Sequence, residues 1–182
     1  MKLLILGMML MTITATNPAS ASSSQDNAAI KTIVESVAHL ADTGNFEDLE
    51  KLYADEIEVD YTSLAGGEVE LKSPQALMTQ WASILPGFDR THHQLSNISI
   101  KINGDQAIVT ADVIADHYVS DLFWQVSGHY LYKLEKETKD WQITSHTFNF
   151  TDEQGTRDVF NLASENATAN PVSYILRQKA EQ

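Results

Sequence analysis

The sequence predicts an α+β domain in which N-terminal helices pack inside a strongly curved, mainly antiparallel sheet. Apolar residues recur at helical spacing in the first half of the chain, and four runs rich in β-branched and aromatic residues follow Pro86-Gly87. Helices first and strands afterwards is the order typical of α+β proteins rather than of alternating βαβ units. A curved sheet wrapped over the helices would form a cone-shaped barrel with one open mouth.

The N-terminal residues predict a cleavable signal peptide. Lys2 precedes an apolar run over residues 3–16, and the small residues of Ala19–Ala21 form a cleavage pattern. The apolar run is shorter than the roughly 20 residues that a membrane-spanning helix needs. We therefore expect cleavage after Ala21 and a periplasmic or secreted protein without a membrane partner, the alternative being an uncleaved N-terminal anchor. The polar residues 22–27 predict a flexible lead.

The composition limits the classes of partner. The chain has 182 residues, no cysteine, 25 acidic and 12 basic residues, and a formal net charge of −13. This length suits one domain, and the lack of cysteine excludes disulfides and a cysteine-linked lipid. A strongly acidic surface without a basic stripe repels phosphate backbones, so we expect no nucleic-acid partner.

Two helices are predicted near the start of the domain. The first begins at residue 28, and its apolar face consists of Ile30, Ile33, Val34, Val37, Ala38, Leu40 and Ala41. Gly44 is a natural C-terminal cap for this helix. Asn45 can cap a second, shorter helix whose apolar stripe continues to Tyr53.

A strand and a third helix are predicted next. Residues 56–64 alternate as a strand. Ser73 as the cap and Pro74 in the first turn then begin a helix that ends at Pro86-Gly87.

The remaining chain predicts four antiparallel strands joined by short turns. The strand-like runs are residues 94–102, 106–119, 123–137 and 141–150. Asn103–Asp105 is a strong hairpin signal, and Glu137–Asp140 is a second turn. We assign residues 28–151 to the domain, and residues 152–182 to one short helix and a polar tail.

His117 is a candidate pocket residue on the second long strand. It shares one side of the alternating pattern with Ala107, Val109, Ala111, Val113 and Ala115. A single histidine at the end of an apolar face indicates a polar group in a pocket, and the alternative is a core histidine bonded to the backbone.

Aromatic residues are predicted to form the core or the pocket wall, and we assign three of them to substrate binding: Trp81, Trp124 and Tyr130. Three further histidines, His39, His129 and His146, carry no functional signal and are interpreted as structural or surface residues.

His92 and His93 are adjacent, so only one of them can face a cavity from a regular strand. Strict alternation back from Ile98, Ile100 and Ile102 turns His92 inward. A β-bulge near residues 95–97 would shift the parity by one residue and turn His93 inward instead. Opposite orientations argue against a metal site that uses both side chains, and we expect no metal.

Asp42 and Tyr61 are weaker candidates when read from the residues alone. Asp42 lies at the end of the first helix, where the helix dipole disfavours a carboxylate, and this disadvantage hints at another purpose. The alternative is a solvated turn residue beside Gly44. Tyr61 can donate a hydrogen bond into the cone or serve as a half-buried strand aromatic.

Three motifs carry a family resemblance over residues 28–151: FEDLEKLYADEIEVDY, THHQLSNISIKINGDQA and DWQITSHTF. The chain resembles the SnoaL-like branch of the nuclear transport factor 2-like superfamily, and more specifically it is similar to the scytalone dehydratases and hexachlorocyclohexane dehydrochlorinases. Asp42 and His93 match the Asp and His that these enzymes use. The DYTS motif matches Tyr61 to a further site residue, and the ADHYV motif matches His117.

The resemblance departs from scytalone dehydratase at two positions. Ala41 stands where that family has a tyrosine, and Tyr130 lies near the position of its active-site asparagine. The resemblance therefore implies a substrate other than scytalone.

The resemblance implies a lyase or isomerase of the dehydratase type that acts on a small apolar or aromatic molecule without a cofactor. His93 would be the general base, Asp42 its hydrogen-bond partner, and Tyr61 and His117 donors to the substrate. It further implies a homodimer formed through the open sheet face. The alternative is a non-catalytic module of the same fold that binds a small ligand or dimerises.

Overall fold

The computed structural model describes the backbone of residues 18–180 and the side chains of residues 23–180. The predicted signal peptide lies largely outside these residues. Among the described helices, none combines the length and the apolar character that crossing a bilayer requires.

Helices and strands follow the predicted order. The helices are α1 (Pro18–Thr43), α2 (Phe46–Glu50), α3 (Thr62–Ala65), α4 (Pro74–Ala82), α5 (Asp158–Ala169) and α6 (Ser173–Ala180). The strands are β1 (Tyr53–Asp60), β2 (Glu70–Lys72), β3 (Arg90–Asn103), β4 (Gln106–Val119), β5 (Leu122–Glu137) and β6 (Asp140–Gly155). The predicted caps are present, since Asn45 accepts a hydrogen bond from the Asp48 backbone and Ser73 accepts one from the Ala76 backbone.

The six described strands form one sheet in the order β2-β1-β6-β5-β4-β3. β3 to β6 are an antiparallel meander, β1 pairs with β6 in parallel, and β2 pairs with β1 antiparallel. The sheet is open rather than closed into a barrel. The predicted α+β cone, with a mainly antiparallel sheet, is therefore confirmed.

The core lies between α1 and the concave face of the sheet. α1 buries Ile30, Val34 and Val37 at helical spacing. β4 buries every second residue from Ala107 to Val119, as its alternation predicts. The helical face and the strand face thus meet, and a cavity remains between them.

The predicted flexible lead over residues 22–27 is wrong, because this segment belongs to α1. The Asp26 carboxylate accepts hydrogen bonds from Lys136 Nζ at 2.7 Å and from Trp141 Nε1 at 3.0 Å. These contacts tie the start of the helix to the β5–β6 turn. The polar residues here have low helix propensity and no apolar periodicity, so the sequence pattern missed the helix.

The first strand begins and ends earlier than predicted. Tyr53 starts β1 rather than continuing the second helix. β1 stops at Asp60, because the Asp60 carboxylate accepts hydrogen bonds from the Thr62 backbone N–H and hydroxyl and so forms a local turn after the strand. Tyr61 therefore follows the strand instead of lying within it.

The C-terminal region is part of the domain, which corrects the predicted boundary at residue 151. β6 continues to Gly155, and two helices follow instead of one helix and a tail. On α6 the Tyr174 hydroxyl donates to Glu50 at 2.8 Å, and on α5 Ala163 is fully buried against Gly87. These contacts return the C-terminal helices to the N-terminal half.

Candidate functional site

A cavity of about 210 Å³ lies between the helices and the concave face of the sheet. Its sheet side is lined by buried residues of β4, β5 and β6, namely Ala115, His117, Trp124, Val126, Tyr130, Tyr132, His146 and Phe148. Its helical side is lined by the buried residues Val37 and Ala41 of α1 and by half-buried or exposed residues such as Leu64, Gln80, Trp81 and Phe160. The lining is mostly apolar with a few polar groups, which is typical of small-ligand sites.

Asp42 and His93 form a hydrogen-bonded pair at the cavity. His93 Nδ1 lies 2.7 Å from Asp42 Oδ1, and the His93 backbone N–H donates to Asp42 Oδ2 at 2.8 Å. The Thr91 hydroxyl donates to Asp42 Oδ1 at 2.8 Å. Three donors therefore fix the carboxylate at the end of α1.

The charge of Asp42 determines the proton position on His93. Burial raises the pKa of Asp42, but hydrogen bonds and charge interaction with His93, together with the Thr91 hydroxyl, outweigh burial and lower it below its ordinary value. An ionised carboxylate can only accept, so His93 Nδ1 carries a proton. His93 Nε2 is then left with a lone pair, and the His93 ring lines the cavity.

A β-bulge in β3 brings His93 rather than His92 to the cavity. The register against β4 shifts between Ser96 and Ser99, and Asn97 takes the left-handed conformation with φ 51°. Ile98 and Leu95 both pack against the core in spite of their odd spacing. His92 is exposed on the opposite face.

His117 lies beside His93 in the cavity wall, with ring centroids 5.5 Å apart. It is 5% exposed and packs between Phe88 and Trp124. Burial and, to a smaller extent, the charge interaction with nearby His93 lower the pKa of His117 to about 4. His117 Nδ1 is buried with no hydrogen-bond partner among the described residues.

A second polar group of the cavity consists of Tyr53, Tyr61, Tyr130 and His146, which we call the tyrosine–histidine cluster. His146 Nδ1 lies 3.0 Å from the Tyr53 hydroxyl, and His146 Nε2 lies 3.4 Å from the Tyr61 hydroxyl. The Tyr130 ring packs against His146, with ring centroids 5.0 Å apart. His146 is 1% exposed, and its burial, followed by the effect of His93, lowers its pKa to about 3.

The sequence interpretation assigned His146 to the structural or surface residues and so missed its place at the site. In the structure His146 lines the cavity. Alternation from Trp141 and Ile143 would place Ser145 inward. The β5–β6 register shifts between Lys133 and Leu134, so that the extra residue on β6 turns His146 and Phe148 inward. The signal that could have revealed it is the apolar pattern of β6, which changes parity before Phe148.

The three predicted substrate-binding aromatics all line the cavity: Trp81, Trp124 and Tyr130. Trp124 Nε1 donates to Glu153 at 2.7 Å, so its polar edge is already satisfied. Phe160 on α5, which the sequence did not single out, packs on Trp124 with ring centroids 4.8 Å apart. Of the four predicted catalytic residues, Tyr61, His93 and His117 line the cavity, and Asp42 lies behind His93.

The family model of the SnoaL-like domain matches residues 22–147. The chain belongs to the SnoaL-like domain family. This confirms the predicted resemblance to the SnoaL-like family. A search of curated proteins finds no match to this SnoaL-like protein.

Solved structures share the fold of this SnoaL-like protein at low sequence identity. The Kfla4162 protein from Kribbella flavida is 23% identical, with a TM-score of 0.69 over 78% of this chain and 98% of that chain. A candidate scytalone dehydratase from Novosphingobium aromaticivorans is 19% identical, with a TM-score of 0.67 over 76% and 92%. The hexachlorocyclohexane dehydrochlorinase LinA-type3 from Novosphingobium barchaimii is 13% identical, with a TM-score of 0.66 over 76% and 94%.

The described residues of this SnoaL-like protein contain no group of three or more His, Cys, Asp or Glu side chains that could hold a metal ion. The polar groups of the site are the Asp42 carboxylate paired with His93, the buried histidines His117 and His146, and tyrosine hydroxyls. Burial raises the pKa of Tyr61 and that of Tyr130, so both hydroxyls keep their protons near neutral pH. A lone pair on His93 thus faces a cavity that also offers hydrogen-bond donors.

Proposed function

We propose that this SnoaL-like protein is a lyase or isomerase that removes a proton next to a carbonyl group of a small, largely apolar molecule. The observation that carries the proposal is the 2.7 Å contact between Asp42 and His93 at the wall of the cavity. The pairing supplies a base of fixed orientation, because the Nδ1 proton is engaged and the Nε2 lone pair is free. The fold shared with a candidate dehydratase and a dehydrochlorinase supports the same class of reaction.

His93 takes the proton in the first step. The electron pair of the C–H bond moves toward the carbonyl, so that a negative charge develops on its oxygen. Asp42 stabilises the imidazolium that forms, since its carboxylate already accepts from Nδ1. A positioned general base of this kind contributes about 10²–10⁴ in rate.

Hydrogen-bond donors face the developing oxygen charge. Tyr61 and Tyr130 line the cavity with protonated hydroxyls, and His117 lines it beside His93. Donors that are fixed before the reaction stabilise such a charge without reorganisation.

The second step returns the proton from His93. Delivery to a different carbon moves the double bond and makes an isomerase. Delivery to a hydroxyl on the adjacent carbon releases water and makes a dehydratase. Both outcomes balance without an oxidant or a metal, and the proposed reaction calls for no cofactor.

Proton–deuterium exchange tests the proposal without knowledge of the natural substrate. Cyclohexanone, 2-tetralone and acetophenone are incubated with the protein in D₂O, and ¹H NMR follows the protons next to the carbonyl. We expect exchange of at least one ketone, slowed about 10²-fold or more in His93→Ala. His92→Ala is the matched control, because His92 is adjacent but exposed on the other face.

Full exchange in His93→Ala would contradict the mechanism. Ketone binding without exchange, with an affinity unchanged in His93→Ala, would instead identify a non-catalytic small-ligand-binding module. The proposal also includes export of the protein, which the apolar N-terminal run supports. It further includes a homodimer through the open sheet face, and size-exclusion chromatography with light scattering tests this oligomeric state.

A further inference from the structure

The tyrosine–histidine cluster contains a buried group that the proposed proton transfer does not use. Tyr53 is 2% exposed and does not line the cavity, but its hydroxyl contacts His146, which does. The cluster therefore runs from the protein interior toward the ligand space. Its hydrogen bonds have a direction, and that direction determines what the ligand meets.

We propose that Tyr53 acts through His146 to orient the hydrogen bonds of the cluster, so that the cavity presents a hydroxyl donor and binds a ligand through a carbonyl or similar acceptor oxygen. Tyr53 and His146 are positioning residues, and Tyr61 and Tyr130 contact the ligand. The inference deepens the proposed function and rests on it for the place of the substrate in the cavity.

The Tyr53 hydroxyl fixes the proton position on His146. Among the described residues, His146 Nδ1 at 3.0 Å is the only hydrogen-bond partner of this hydroxyl. If Tyr53 O–H donates to Nδ1, both groups are satisfied. If His146 Nδ1–H donated instead, the Tyr53 proton would be buried without an acceptor, which is strongly unfavourable. His146 therefore carries its proton on Nε2.

The same direction continues to the cavity. Nε2–H of His146 faces the Tyr61 oxygen at 3.4 Å and can only donate to it. The Tyr61 hydroxyl keeps its own proton, which cannot be donated back to the Nε2–H group. Tyr61 lines the cavity, so its O–H is the donor that the cluster offers to a ligand.

The neutrality of His146 preserves this direction. An imidazolium would donate from both nitrogens and reverse the Tyr53 contact. The ring is fully buried and surrounded by Tyr130, Tyr132 and Trp81, with ring centroids at 5.0, 4.5 and 5.8 Å. Among the described residues, no carboxylate accepts a hydrogen bond from His146, whereas His93 pairs with Asp42 and His129 pairs with Asp112. His146 therefore lacks the partner that would stabilise an imidazolium.

The tautomer of His146 tests the inference in the ligand-free protein. The full chain is labelled with ¹⁵N-histidine, and long-range ¹H–¹⁵N NMR spectra are recorded from pH 5 to 8. We expect a protonated Nε2 and an unprotonated Nδ1 throughout this range. In Tyr53→Phe the Nδ1 resonance should move, because its donor is removed. Tyr174→Phe is the control, since it removes a hydroxyl from another largely buried tyrosine that lies outside the cavity.

Acetophenone serves as the probe of the donor. Its carbonyl stretching frequency, measured by infrared difference spectroscopy, should shift to lower wavenumber on binding relative to its value in hexane. The shift should be smaller in Tyr53→Phe and absent in the double variant Tyr61→Phe/Tyr130→Phe, but unchanged in Tyr174→Phe.

A protonated Nδ1 on His146, an unshifted carbonyl, or no binding of acetophenone up to its solubility limit would overturn the inference. These outcomes are distinct from failure of the proposed function. Loss of exchange in His93→Ala together with a protonated His146 Nδ1 would retain the proton transfer and reject the orienting role of Tyr53.

Discussion

Replacement of Asp42 by asparagine should remove the catalytic base without removing the fold. The asparagine oxygen can still accept a hydrogen bond from the His93 backbone N–H. The asparagine NH₂ group then faces His93 Nδ1, which in the wild type lies 2.7 Å from a carboxylate oxygen of Asp42. The ring must then accept at Nδ1 and move its proton to Nε2. The base lone pair is turned away from the cavity, and the exchange rate should fall by about 10²–10⁴.

The expected loss of stability is modest. A hydrogen bond to a charged group contributes about 1.5–3 kcal/mol and a neutral one about 0.5–1.5 kcal/mol, so the exchange of one for the other costs roughly 1–2 kcal/mol. The pKa of Asp42 is lowered in the folded state, so its contribution is present above its unfolded pKa and is lost as pH falls through the folded value. Asp42→Asn should therefore lose less stability than the wild type on acidification below pH 4.

The assay is ketone exchange in D₂O, with urea unfolding measured on the same samples. Asp112→Asn is the matched control, because Asp112 also lies 2.7 Å from a histidine Nδ1 but on the exposed outer face. It should leave exchange unchanged. A wild-type exchange rate in Asp42→Asn would refute the role of the pair, and so would an equal loss in both variants.

Three other predictions concern stability and the cavity. In the folded protein the pKa of His146 is lowered to about 3, whereas a histidine in the unfolded chain has a pKa of about 6.5. Between these two pH values the unfolded chain binds more protons, so the free energy of unfolding should fall by up to roughly 1.4 kcal/mol per pH unit on acidification. Urea unfolding measured from pH 7 to 5 should show this dependence of stability on pH, and His146→Leu should reduce it. Gly87→Ala should destabilise the domain by about 3 kcal/mol, since a Cβ there would lie 1.7 Å from the Ala163 carbonyl oxygen, and an unchanged thermal midpoint would contradict the packing of α5. Phe160→Ala should weaken acetophenone binding about 10-fold in NMR titrations, because the ring covers Trp124 beside the cavity; unaltered affinity would exclude α5 from the site.

The sequence predicted the site where strands are regular and erred where they are not. His117 was found from alternation alone, because β4 pairs with β5 without a shift. His93 needed the family resemblance, since the β3 bulge reverses the local parity. His146 was missed for the same reason on β6.

Long-range contacts explain the other errors. The helical start of α1 depends on Asp26 meeting Lys136 and Trp141, partners more than a hundred residues away. The C-terminal helices contribute Phe160 to the cavity through a pairing that no local pattern encodes. The early end of β1 could have been predicted, because an Asp two residues before a Thr can form a local turn through its side chain.

The bulges in β3 and β6 reverse the alternation of inward-facing residues, so each strand has one alternation toward the core and another toward the cavity. On one side of the bulge the inward residues are Ile98 and Ile143, and on the other they are His93 and His146. In a relative that lacks one of these bulges, the equivalent inward-facing histidine would be shifted by one residue along the strand. Transfer of site residues by position between such sequences would select exposed His92 or buried Ser145, neither of which lines the cavity. Insertions of a single residue in these strands are thus able to change what the cavity contains while the packing of the domain stays the same.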